Sequence, residues 1–130
     1  MLVALDYFFL VLHTGLIFFN LFGWVWRRAR PFHLACATLT LGSWIVLGFW
    51  YGFGYCPLTE WHWCVREGLG DSELPYSYLK FLFDRLTGLD VNARLVDAAA
   101  VASMAVVFPL SIALNIRDFR RRRASRYNPV

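Results

Sequence analysis

Three polar side chains interrupt the first apolar stretch of the chain at a spacing of seven: Asp6, His13 and Asn20. Seven residues are close to two turns of an α-helix, so the three share nearly one face. Polar groups in hydrocarbon are expensive, and such a stripe must face protein or water. A carboxylate, an imidazole and an amide aligned in this way could relay protons, contact a quinone or ligate a cofactor. The plainer reading is a ladder of hydrogen bonds between helices, with Ser43, Ser103 or Ser111 as partners. A bis-histidine haem fits poorly. His33 begins the second apolar run, roughly 20 Å along the helix axis from His13, and His62 meets His13 only if its loop dips deeply. No close group of His, Cys and carboxylate side chains lies on one element, so no metal site is expected.

A second group of reactive residues follows the second apolar run. Cys56, Pro57, Leu58 and Thr59 open it, and Cys64 comes eight positions after Cys56. On an oxidising face of a membrane the two cysteines could form a disulfide. Two free thiols are the equal alternative, and a redox-active pair is disfavoured because the spacing is not Cys-x-x-Cys. Cys36 lies within the second run and reads as a small core residue. Trp61 and Trp63 flank His62 as interfacial anchors.

The elements that must position these groups are membrane spans. The chain is 58% apolar and 18% aromatic but only 17% charged, whereas soluble domains hold about 45–50% apolar and about 25% charged residues. Apolar runs of roughly 20 residues suffice to cross a bilayer. They are expected at about residues 2–26, 32–51 and 94–116, in one membrane domain covering 1–130, with a loop at 52–93 and a basic tail at 117–130. The first run has no basic residue ahead of it and is long enough to span, so it reads as a retained helix and not as a cleaved signal. It ends in Trp24 and Trp26 followed by Arg27, Arg28 and Arg30, an aromatic anchor and a charge stop. In the loop, Thr59 is expected to cap a short helix over 60–67 that Gly68 ends. A second short helix over 75–86 should turn Tyr78, Leu79, Leu82 and Leu86 inward and pair Lys80 with Asp84 at i, i+4. Gly88 ends it, and Asp90 is expected to cap the third span. Ala98, Ala102 and Ala105 form a small-residue face suited to close helix approach, and Gly48 and Gly52 make a weaker packing signal.

Charge sets the orientation. The first loop and the tail hold nine arginines against Asp118 alone, a balance of +8. The remainder holds four basic against eight acidic residues, −4, and together they give the +4 of the whole chain. Basic residues near span ends stay cytoplasmic, so the N-terminus and the long loop are expected outside and the tail inside. Arg120 to Arg123 read as a stop-transfer and lipid-headgroup anchor. No motif supports nucleic-acid binding.

The helix-one His13, the basic first loop and the Cys56-Pro57-Leu58-Thr59 segment resemble a family of small bacterial membrane proteins catalogued as a domain of unknown function, number twenty-seven eighty-four. The resemblance extends from Asp6 through Trp61 to the third span. It implies that His13, Cys56, Pro57, Leu58 and Thr59 are marked positions, and it places the chain in a bacterial inner membrane. The fold class expected is all-α: a bundle of three transmembrane helices with two short extracytoplasmic or interfacial helices between spans two and three. Two functions are compatible with it. One is a non-catalytic accessory or structural subunit of a membrane complex, bound to lipid and to a membrane-protein partner or a second copy of itself. The other is a membrane redox or proton-handling enzyme using the His13, Asp6 and Asn20 stripe, with Cys56. No cofactor is specified by these motifs.

Overall fold

The computed structural model describes residues 1–127. Three helices are long and apolar enough to cross a membrane: α1 (Leu2–Phe22), α2 (Arg30–Tyr51) and, after two shorter helices, α5 (Ala93–Tyr127). The shorter ones are α3 (Pro57–Gly68) and α4 (Tyr78–Thr87), both in the segment that joins α2 to α5. No strand occurs among the described residues. This is the architecture of a small all-helical multi-pass membrane protein.

The chain is polar where it is closed and apolar where it is open. α1 buries only Asp6, His13 and Asn20, the three residues of the seven-spaced stripe. α5 buries Met104, Ser111 and Asp118 at the same spacing. Large apolar side chains such as Phe49, Leu39 and Val106 point outward, with exposures of 86%, 76% and 68%. Lipid tails are as apolar as leucine, so burying apolar side chains between spans gains little. Packing and hydrogen bonds between helices hold such bundles together. Here α3 packs on α1, α2 on α5, and α4 on α5.

The basic end of the bundle is tied by direct bonds. Both ring nitrogens of His33 are engaged, Nδ1 with Ser111 Oγ and Nε2 with the Asn20 carbonyl, each at 2.8 Å. One imidazole thereby joins α1, α2 and α5. Gly23 makes room for it, since a Cβ there would stand 2.9 Å from the His33 ring. The Asn20 amide donates to Thr40 Oγ1 at 3.1 Å. Arg30 donates to Asp118 at 2.8 Å and to the Trp24 carbonyl at 2.9 Å.

Several element boundaries differ from the sequence expectation, for identifiable reasons. α1 stops at Phe22, where Gly23 and a tight turn replace the last helical turn. α3 starts at Pro57, not after Thr59. Proline suits the first helical position because its missing N–H is unneeded there, and Cys56 occupies the cap position without a side-chain bond. Thr59 is buried inside the helix and caps nothing. α4 begins at Tyr78 because Ser77, not the region of Pro75, accepts from the Lys80 amide. Its buried face is Tyr78, Phe81 and Leu82, and Leu86 is 73% exposed. Gly88 ends it in the left-handed conformation, with φ of 69°. Asp90 does not cap the third span. It pairs with Lys80, which also holds Asp84 at 2.7 Å, while Asn92 accepts from the Arg94 amide at 3.0 Å. α5 contains Pro109 and runs past Ile116 through the basic tail to Tyr127. Ala98, Ala102 and Ala105 lie on its exposed side, so that face does not pack within the chain. Within α2 the turns widen over Ser43–Leu47, and Ser43 donates to the Tyr55 carbonyl at 2.7 Å.

Ser77 both caps α4 and donates to Asp97 on α5. Replacing it with alanine is expected to lower stability by about 1–2 kcal/mol. Thermal unfolding of the variant in mild detergent measures this, and an unchanged midpoint would show that the cap contributes nothing.

Candidate functional site

The site forms where α3 and α4 fold against the first half of α1. α3 is amphipathic and buries Thr59, His62 and Val65. Its inward face sets His62 directly on Asp6, with Nε2 at 2.7 Å from Oδ1. Arg66, one turn further along, donates from Nη1 to both Asp6 oxygens at 3.3 Å. Arg85 of α4 brings a second guanidinium to 3.7 Å. The Asp6 and His62 side chains are 6% and 0% exposed. A carboxylate so enclosed is tolerable only because cationic and hydrogen-bonding groups surround it.

An aromatic cage closes around this pair. His62 lies within 6.0 Å, centroid to centroid, of Phe9, Trp63, Tyr78 and Phe81. Arg66 and Arg85 stand over the Phe81 ring at 5.3 and 5.7 Å, in cation–π range. Deeper in the bundle the His13 ring stacks on Tyr78, with centroids 3.7 Å apart and planes 9° from parallel. His13 therefore faces the bundle, and its neighbour is an aromatic ring. The serines expected to hold it are engaged elsewhere: Ser43 with Tyr55, Ser111 with His33, and Ser103 with the Ala99 carbonyl of its own helix.

Five buried polar atoms in this cage have no hydrogen-bond partner: His13 Nδ1, Thr14 Oγ1, His62 Nδ1, Arg66 Nε and the Tyr78 hydroxyl. Tyr78 sits beside Thr14, but the two hydroxyls do not reach bonding geometry. An unsatisfied buried group costs about 1–3 kcal/mol. These five gather around one acid–base pair; at the His33 end Asn20 Oδ1 and Asp118 Oδ1 are also unpartnered, but both His33 ring nitrogens are bonded. Just outside, Arg66, Asp71 and Phe81 line an open pocket of about 350 Å³, and Arg66 is salt-bridged to Asp71 at its rim.

Burial pushes the Tyr78 phenol up from its ordinary 10.0 to about 12. The folded value lies above the unfolded one. The phenol's stabilising contribution is therefore complete below pH 10 and is lost as pH rises through about 12. Absorbance titration of the six tyrosines is expected to show a phenolate forming last, as pH passes about 12, and Tyr78→Phe should abolish that last step. Six tyrosines titrating together would show Tyr78 to be solvated.

The other sequence candidates do not join this cage. Cys56 and Cys64 are free thiols, the first half-buried and the second exposed. They sit at the start and in the third turn of one helix, about 12 Å apart along its axis. That is beyond the ~7 Å a disulfide spans, so the bonded alternative falls away. Pro57 starts α3, Thr59 is buried in its first turn, and Asn20 belongs to the His33 end. Among the described residues no three His, Cys, Asp or Glu side chains are grouped to hold a metal ion. Sequence reasoning missed His62, Arg66, Tyr78 and Arg85. The i, i+4 placement of His62 and Arg66 on the inward face of α3 was the available signal.

The fold and this interior define a small multi-pass membrane protein with a polar seam between its helices. The chain belongs to the family described as Protein of Unknown function, DUF2784, which matches residues 3–116. No curated protein and no solved structure matches the chain.

Proposed function

We propose that this chain is a bacterial inner-membrane protein with its N-terminus outside and its C-terminus in the cytoplasm, and that its Asp6, His62, His13 and Tyr78 cage binds a membrane ligand that exchanges protons. The observation that carries this reading is the set of five unpartnered buried polar atoms around a paired carboxylate and imidazole. Imidazoles and a phenol can each donate or accept a hydrogen bond. Together they suit a ligand with carbonyl or hydroxyl oxygens, of which a quinone is the membrane-soluble type. His13, whose Nδ1 no protein group claims, is the acid–base group, His62 is held by Asp6, and Tyr78 stays a phenol and hence a donor. Arg66 and Arg85 fix the Asp6 charge.

The test is direct. Protein purified in mild detergent is examined for its visible and ultraviolet spectrum and for small molecules released on denaturation. A stoichiometric quinone or related oxygen-bearing lipid supports the reading. A stoichiometric protein partner with no small molecule favours the second reading, an accessory subunit that joins a membrane complex or pairs with a second copy. The second reading draws on the wide apolar surface, including the exposed Ala98, Ala102 and Ala105 face.

The orientation rests on the split of +8 against −4 and on the Arg30–Asp118 pair, which gathers the first loop and the basic part of α5 at one end. A reporter active only in the cytoplasm should work when fused after Val130 and fail when inserted at Ser72. The opposite pattern would reverse the orientation.

A further inference from the structure

At the basic end, the turn after α1 and the last turns of α5 enclose an open pocket of about 350 Å³ lined by Arg27, Arg121, Arg122, Ser125 and Arg126. We propose that this pocket binds the phosphate of an anionic phospholipid headgroup. Arg121, Arg122, Ser125 and Arg126 fall on one face of α5, because positions three and four apart are neighbours on a helix. Asp118 starts that face but is already committed to Arg30 at 2.8 Å and is buried. Arg27 approaches it only to 3.7 Å and remains 57% exposed. No carboxylate lines the pocket among the described residues. Four guanidinium groups thus line the pocket beside a single buried carboxylate, which Arg30 already holds and which Arg27 pairs with loosely. Their planar forks match the oxygens of a phosphate in pairs, and a bound anion relieves their mutual repulsion.

A lipid phosphate, and not a free anion, is the occupant because of what borders the pocket. Trp26 precedes Arg27 and is 62% exposed, and Phe119 precedes Arg121 by half a turn and is 67% exposed. Apolar and basic surface therefore meet at the pocket's edge, where acyl chains would run along the spans while the headgroup reaches the arginines. Basic pockets beside spans hold anionic headgroups in this manner.

The test uses the purified full chain in mild detergent, titrated with phosphatidylglycerol or phosphatidylcholine and read by native mass spectrometry. The chain should retain phosphatidylglycerol and not phosphatidylcholine. The double variant Arg27→Gln with Arg122→Gln should weaken that retention about thirtyfold. Arg120→Gln with Arg123→Gln removes the same charge from the other side of α5 and should leave it within about twofold. Equal weakening by both doubles would reduce the effect to diffuse charge and overturn the pocket. Displacement of the lipid by inorganic phosphate at a matching concentration would overturn the lipid assignment.

Discussion

Asp6→Ala is expected to cost about 3–5 kcal/mol and to release α3 from the bundle. The carboxylate is the point at which α1, α3 and α4 meet. It holds His62 at 2.7 Å, Arg66 at 3.3 Å and Arg85 at 3.7 Å. Its removal leaves a buried imidazole without its acceptor and brings two guanidinium groups together with no anion between them. Thermal unfolding in detergent should show a large downward shift, and amide hydrogen exchange should rise first in α3. Lys80→Ala is the comparison. Its ion pairs with Asp84 and Asp90 are partly solvated, and exposed pairs contribute about 0–1 kcal/mol. Following Asp6→Ala with His62→Leu should recover part of the loss, because the second change removes the orphaned polar group and fills the cage with carbon. Equal midpoints for Asp6→Ala and the unaltered protein would show that the cluster does not hold the helices together.

The membrane architecture was legible because its signals are long and redundant. Three apolar runs, aromatic residues at their ends and the flanking arginines all point the same way. The seven-residue spacing of Asp6, His13 and Asn20 sufficed to assign the inward face of α1. The same spacing in Asp97, Met104, Ser111 and Asp118 was equally present. It is a weaker signal because one member is apolar and because Ala98, Ala102 and Ala105 present a second regular face on the same helix. By sequence His33 simply begins the second apolar run. Its full burial depends on Gly23, whose missing side chain lets the ring sit against α1, and no periodicity announces that. The partners of His13 were beyond reach for a different reason. They come from α3 and α4, whose docking depth is set by the Asp6–His62 contact between residues 56 positions apart. Short amphipathic helices advertise an inward face but not how far along a span they will settle. Thr59 illustrates a local conflict, in which a good capping residue lost to a proline two positions earlier that is preset for the helix start.

His13→Gln separates the two readings of the cage. Glutamine keeps a donor and an acceptor, so the variant should fold. The loss of the ring stacked on Tyr78 at 3.7 Å should cost no more than about 0.5–1.5 kcal/mol. Glutamine does not exchange protons near neutral pH, whereas a positioned acid–base group contributes typically about 10²–10⁴-fold to a proton transfer. If the cage works on a proton-exchanging ligand, His13→Gln should therefore lower proton-coupled turnover of the co-purified ligand by about a hundredfold or more, with the unfolding midpoint little changed. Tyr78→Phe should weaken ligand retention without that collapse, since it removes one hydrogen-bond donor and keeps the stacked ring. Should both variants keep the same ligand content and the same proton coupling as the unaltered chain, the cage would be a packing device and the accessory-subunit reading would stand. The contrast depends on His13 being held by a ring and not by a hydrogen bond. That leaves its Nδ1 unclaimed by the protein and available to a ligand oxygen, and of the unpartnered groups α1 brings to the cage, His13 Nδ1 and Thr14 Oγ1, only the imidazole exchanges protons near neutral pH.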